Sequence, residues 1–75
     1  MLVTLKAFAT LRNHLPAGEH QYNHEGLLTV RELLMAHGIP PAETAIILVN
    51  GLHSSLEKEL CDGDTVSVFP AVGGG

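Results

Sequence analysis

The middle of the sequence holds its strongest helix signal, which has both a start and a stop. Thr29 is a residue type that caps helix N-termini, and Glu32 three residues later completes a capping-box pattern. Gly38 tolerates the left-handed backbone that ends helices, and Pro40 and Pro41 forbid continuation. Between these signals, one helix face is formed by Val30, Leu33, Leu34 and His37. The sequence therefore predicts one main helix.

Four other segments have the hydropathy pattern of strands: residues 2–8, 20–25, 45–53 and 65–69. Inside the third, Asn50-Gly51 is the pair that tight hairpin turns prefer, so a short extra strand should begin at Leu52. We expect helical turns within residues 10–16 and 56–60 and a turn at residues 61–64.

The order strand, strand, helix, strand, short strand, strand predicts an α+β fold of the β-grasp, or ubiquitin-like, type. We expect a mixed four- to five-stranded sheet with the main helix packed on one face, and the first and last strands as neighbours at its centre. Residues 1–70 would form this domain, and residues 71–75 a flexible tail that leaves from the middle of the sheet.

The net charge of −4 comes entirely from the second half of the chain. Residues 1–38 are neutral overall, whereas residues 39–75 carry five acidic side chains against Lys58. The absence of a basic cluster argues against nucleic-acid binding. The acidic half suits a partner with a basic surface, and a solvated acidic loop is the alternative.

We expect a cytoplasmic protein. Residues 1–8 do not have the pattern of a signal peptide, and no apolar stretch approaches the roughly 20 residues that span a bilayer. Cys61 is the only cysteine, so an internal disulfide is excluded.

The sequence ends in FPAVGGG, in which Gly73, Gly74 and Gly75 are consecutive. A strand gains nothing from such a run, because glycine loses the most conformational freedom on ordering. Residues 71–75 have no side chain with a reactive group, so their one reactive group is the α-carboxylate of Gly75. This carboxylate becomes an electrophile once it is converted to an acyl-adenylate. A tail without Cβ atoms would fit a narrow channel to an ATP site on another protein. The alternative is a disordered terminus of small residues.

No catalytic or metal constellation is predicted. His20 and His24 would lie about 13 Å apart on a strand, and no cysteine or carboxylate completes a ligand set, so we expect no metal site. Cys61 is flanked by Asp62 across a turn from Asp64, which disfavours a reactive thiolate.

The segments FATLRNHL, VNG and LCDGDTVSVFPAVGGG, together with the length, resemble the MoaD/ThiS family of ubiquitin-like sulfur-carrier proteins. The resemblance implies that a partner related to ubiquitin-activating enzymes uses ATP and magnesium to adenylate Gly75. Sulfur from a desulfurase or rhodanese-type donor then leaves a thiocarboxylate. The carrier is a co-substrate with no bound cofactor and no catalytic residue of its own.

The recipient of the sulfur is less defined by the sequence. FATLR and the Phe69-Pro70 pair are similar to small subunits of molybdopterin synthase, which favours molybdenum cofactor biosynthesis. The ending AVGGG is more similar to carriers that act with a thiazole synthase in thiamine biosynthesis. A ubiquitin-like modifier that forms isopeptide bonds, and a plain binding module, are further alternatives.

The resemblance also implies a partner-binding sheet face beside the tail, with exposed apolar residues. Phe8 and Phe69 are candidates because each is out of phase with the inward-facing residues of its own strand. His53 is the third candidate, at a position after the Asn-Gly turn that is often apolar in the family. Gly73 and Gly74 would thread into the partner.

Overall fold

The computed structural model describes residues 1–71 of the 75-residue chain. It contains the strands and helix β1 (Leu2–Ala7), β2 (Glu19–Asn23), α1 (Val30–Ala36), β3 (Thr44–Val49), β4 (Leu52–His53) and β5 (Thr65–Pro70). Short 3-10 helices cover Ala9–His14, Pro16–Gly18 and Pro41–Glu43. Of the helices found in residues 1–71, none has the length and apolarity needed to cross a membrane.

The strands form one mixed sheet in the order β2-β1-β5-β3-β4. β1 and β5 are parallel neighbours at its centre, and the other neighbouring strands are antiparallel. The predicted α+β fold of the β-grasp type is confirmed, as is the pairing of the first strand with the last. The predicted Asn50-Gly51 hairpin joins β3 to β4, and both residues have the positive φ that its turn requires.

The helix α1 begins with the predicted capping box. The Thr29 hydroxyl accepts a hydrogen bond from the Glu32 backbone N–H at 3.2 Å, and Glu32 Oε1 accepts one from the Thr29 N–H at 2.9 Å. The helix ends at Ala36, with His37 as its C-cap, and Gly38 follows with φ of +74°. Local chemistry thus sets both ends of the helix.

The segment after β4 differs from its prediction. Residues 56 and 57 form a single turn, closed by a hydrogen bond from the Lys58 N–H to the Ser55 carbonyl at 3.2 Å, and the segment contains no helix. The N–H groups of Val30 and Arg31 donate to the carbonyls of Lys58 and Leu56, at 3.0 and 2.9 Å. The segment lies against the start of α1, where it satisfies the first donors of the helix, which have no partner inside their own helix.

The core lies between α1 and one face of the sheet, and it is aliphatic, as the scarcity of aromatic residues suggests. No polar or charged side chain is buried among residues 1–71. The fully buried side chains with the largest volumes are Leu5, Leu11, Leu28, Leu33, Leu34, Ile39, Val3, Val30, Val66 and Val68. No helix of residues 1–71 packs on the opposite face of the sheet, and this face carries the candidate site.

Candidate functional site

Phe8 and Phe69 stack on each other on the open face of the sheet. Their ring centroids are 4.5 Å apart and their planes differ by 10°. The stack follows from strand pairing, because Ala7 is opposite Val68 in the parallel pair β1–β5 and each phenylalanine is the next residue along. Ala7 and Val68 face the core, so both phenylalanines face away from it. Phe8 is exposed and Phe69 is half-buried.

Ile46 extends this surface across β3. It lies opposite Phe69 in the antiparallel pair β3–β5 and is exposed. The register of this pair shifts between Thr44 and Ile46, which puts Ile46 in phase with the open face. We call Phe8, Phe69 and Ile46 the apolar patch. Ile46 was missed in the sequence, because a continuous apolar run does not reveal which of its residues face outward.

His53 lies on the same open face as the apolar patch but outside it. It is opposite Leu48, which is two residues, or about 7 Å, further along β3 than Ile46. The His53 side chain is exposed. The three predicted face residues therefore share one surface, and the structure brings only the two phenylalanines into contact.

The apolar patch lies at the end of the sheet where the described chain ends. β5 is a central strand, and its last residue, Pro70, pairs with Thr44 beside the patch. Ala71 follows and is exposed. The predicted tail residues Gly73, Gly74 and Gly75 lie outside the described residues.

The two motifs VNG and DGD, distant in sequence, are joined by hydrogen bonds. Asn50 Nδ2 donates to Asp64 at 2.8 Å, and Asn50 Oδ1 accepts from the Thr65 N–H at 2.9 Å. Asp64 also accepts from the Cys61 N–H at 2.8 Å. These bonds to Asp64, first from Cys61 and then from Asn50, lower the pKa of its carboxyl below the ordinary value. Both motifs therefore serve the fold.

Other acidic side chains of the second half are also engaged within the chain. Asp62 accepts a hydrogen bond from the Leu2 N–H at 2.7 Å. Glu57 pairs with Arg31 at 2.6 Å, and the hydrogen bond from Arg31 lowers the pKa of the Glu57 carboxyl. These carboxylates hold β1, α1 and the loop before β5 together. Three of the five acidic side chains in this half, Glu57, Asp62 and Asp64, thus have partners within the chain.

His20 and His37 form aromatic contacts on the helix side of β2. His37 packs edge-on against His20 and Tyr22, with ring centroids 5.2 and 5.1 Å away. Over residues 1–71, no group of three or more histidine, cysteine or acidic side chains could hold a metal ion. Cys61 is free and exposed.

A β-grasp sheet with one packed helix, an open apolar face and a central last strand defines a ubiquitin-like protein. The sequence model of the ThiS family matches residues 5–75, and the chain belongs to that family. The expected membership in the MoaD/ThiS group is thereby confirmed. No curated protein matches the chain.

Solved structures agree with this assignment. SAMP1 from Haloferax volcanii is 25% identical with a TM-score of 0.76, over 100% of both chains. A putative molybdopterin converting factor, subunit 1, from Pyrococcus furiosus is 29% identical with a TM-score of 0.73, over 95% of this chain and 98% of that one. The small archaeal modifier protein 1 (SAMP1) of Methanosarcina acetivorans shares the fold at 23% identity, with a TM-score of 0.73 over 99% and 96%. The family and these neighbours are small ubiquitin-like carrier or modifier proteins, not enzymes.

Proposed function

We propose that the chain is a sulfur carrier whose covalent site is the α-carboxylate of Gly75. The observation that carries the proposal is the family match, which extends through residue 75. The position of Pro70 supports it, because a tail that follows a central strand leaves beside the apolar patch. In this proposal the partner binds residues 1–70, which we call the body, and residues 71–75 enter the active site of the partner.

The chemistry takes two steps on the partner enzyme, in the cytoplasm. A carboxylate oxygen of Gly75 attacks the α-phosphorus of magnesium-bound ATP, which forms the acyl-adenylate and releases pyrophosphate. A thiol reductant cleaves the persulfide of a desulfurase or rhodanese-type protein, is itself oxidised to a disulfide, and releases hydrosulfide, which then attacks the acyl carbon. A C–S bond forms as the C–O bond to AMP breaks, AMP leaves, and the thioacid proton passes to water. The activating enzyme supplies the catalytic groups, and the chain is its co-substrate.

The recipient that we favour is the large subunit of a molybdopterin synthase. The Pyrococcus furiosus neighbour named as a converting-factor subunit supports this choice, since it aligns over nearly the whole chain. A thiazole synthase is the alternative recipient, in agreement with the name of the matching family. Supplying each recipient to the thiocarboxylated chain and measuring loss of the sulfur distinguishes them.

The apolar patch is the surface by which we propose that these partners hold the body. Aromatic residues at an exposed centre are typical of interface anchors. The stack of Phe8 on Phe69 fixes both rings before binding, which reduces the entropy lost on association.

The direct test is the intact mass of the chain after incubation with a matching activating enzyme, ATP, magnesium and sulfide. The expected gain is about 16 Da, for one oxygen replaced by sulfur. The matched control is a chain without Gly74 and Gly75, which should gain nothing. A wild-type chain that keeps its mass with each candidate activating enzyme would contradict the proposal.

A second candidate function is protein modification, in which the acyl-adenylate of Gly75 is passed on to form an isopeptide bond with a lysine. SAMP1, named as a small archaeal modifier protein in a related structure, is the observation that favours it. High-molecular-weight conjugates in cells, lost when Gly74 and Gly75 are deleted, would support this function. Their absence beside an intact thiocarboxylate would leave the carrier function alone.

A further inference from the structure

A concavity of about 250 Å³ lies directly beside the apolar patch. Phe8 forms part of its wall, so the two surfaces are continuous. Two cations, Lys6 and Arg12, also line it, and Glu19 is its one acidic residue. Lys6 is in phase with Phe8 on the open face of β1, whereas Arg12 comes from the 3-10 helix that follows.

Neither cation forms an ion pair within the described chain, although Glu19 lies opposite Lys6 in the β1–β2 strand pair. Across residues 1–71, the ion pair that forms within 4.0 Å joins Arg31 to Glu57. With the charge of Glu19 set against that of Lys6, one positive charge beside Phe8 is available to an external group.

The side chain of Arg12 packs against the backbone at Gly18. A Cβ atom built on Gly18 would lie 2.9 Å from Arg12 Nε and 3.4 Å from the Ala7 carbonyl oxygen. Gly18 also has φ of +74°, which only glycine adopts without strain. The side chain of Arg12 therefore fits beside Gly18 because Gly18 has no side chain.

We infer that this concavity binds a carboxylate side chain on the partner protein that covers the apolar patch. Lys6 and Arg12 against Glu19 leave a net charge of +1, which matches one carboxylate and not a phosphate dianion. The total charge of −4 disfavours a nucleic acid. The partner should therefore present an aspartate or glutamate next to the apolar residues that meet Phe8. This inference rests on the proposed function, because it describes the surface of the activating partner.

The test compares K6Q, R12Q, the double variant K6Q/R12Q and the control K58Q in the thiocarboxylation reaction. Lys58 is an exposed cation that lines a different concavity, beside Leu52 and Cys61. Each single variant loses one exposed ionic contact with the partner, which should raise KM for the chain about threefold. The double variant should raise KM about tenfold, and kcat should stay unchanged in all of them. K58Q should keep the wild-type KM. Added salt should raise the KM of the wild type and hardly affect the double variant.

The outcomes separate this inference from the proposed function. A wild-type chain that gains no mass overturns both. A wild-type chain that gains mass, while K6Q/R12Q keeps the KM and salt dependence of K58Q, overturns the inference alone. Thermal unfolding of each variant checks that the body remains folded. Self-association of the wild type that K6Q/R12Q abolishes would assign the face to a second copy of the chain and overturn the inference as well.

Discussion

Replacement of Phe8 by alanine separates the role of the apolar patch from that of the core. Phe8 is 39% exposed, so about three fifths of its surface is covered. For a phenylalanine of roughly 200 Å² this is about 120 Å², of which alanine would retain roughly a third. The loss of about 80 Å² at 25 cal/mol per Å² predicts at most about 2 kcal/mol of destabilisation. A fully buried phenylalanine would cost about 3–5 kcal/mol.

The effect on the partner reaction should be larger than the effect on the fold. An aromatic anchor at an interface contributes about 2 kcal/mol or more, which is about a 30-fold loss of kcat/KM. Urea unfolding gives the first quantity, and thiocarboxylation with the activating enzyme gives the second. Tyr22→Ala is the matched control, because Tyr22 is a half-buried aromatic residue that contacts His37 on the helix side of the sheet. It should lower stability and leave kcat/KM of the folded chain unchanged.

A double-mutant cycle on Phe8 and Phe69 measures their stack independently of any partner. The coupling free energy in unfolding should be about 0.5–1.5 kcal/mol. The reasoning is refuted if Phe8→Ala destabilises the fold by more than about 3 kcal/mol and leaves kcat/KM intact, since Phe8 would then be a core residue.

Three further predictions concern the body. Thr29→Ala removes half of the capping box, so it should cost about 1 kcal/mol and lower Tm by about 4–8 °C in thermal unfolding, and an unchanged Tm would contradict the role of the cap. Because the folded-state pKa of Asp64 is depressed, its contribution is complete above the unfolded pKa and is lost as pH falls through the folded pKa. Wild-type stability should therefore fall as the pH drops below about 4, and less steeply in Asp64→Asn, whereas equal slopes would contradict this. Gly18→Ala should destabilise by about 1 kcal/mol, while Ala9→Gly, at a residue with φ of 55°, should stabilise by about 0.5 kcal/mol; calorimetry that finds the same sign for both would refute the backbone argument.

The parts of the fold that sequence could predict are those set by neighbouring residues. Thr29 and Glu32 are three positions apart, and Asn50 and Gly51 are adjacent, so their chemistry is complete within one turn. The outward phase of Phe8 and Phe69 followed from alternation along each strand. Strand order then placed both on one face with His53.

The parts that could not be predicted depend on distant residues. The carbonyls of Leu56 and Lys58 are taken by the start of α1, and no local pattern in residues 56–60 indicates this. The register shift before Ile46 decides which residues of a uniformly apolar strand face outward. Arg12 stood in the family-like motif FATLR, but only its packing against Gly18 shows that it lies beside Phe8.

The most direct test of the central claim is ATP–pyrophosphate exchange by the activating enzyme, because exchange requires only that the carboxylate of the chain reaches the ATP site. We predict exchange with the chain that ends at Gly75. Exchange should be lost when Gly74 and Gly75 are deleted and when one phenylalanine is added after Gly75. If the extended chain supported as much exchange as the chain that ends at Gly75, the activating enzyme would not require a terminal glycine. That result would contradict the account.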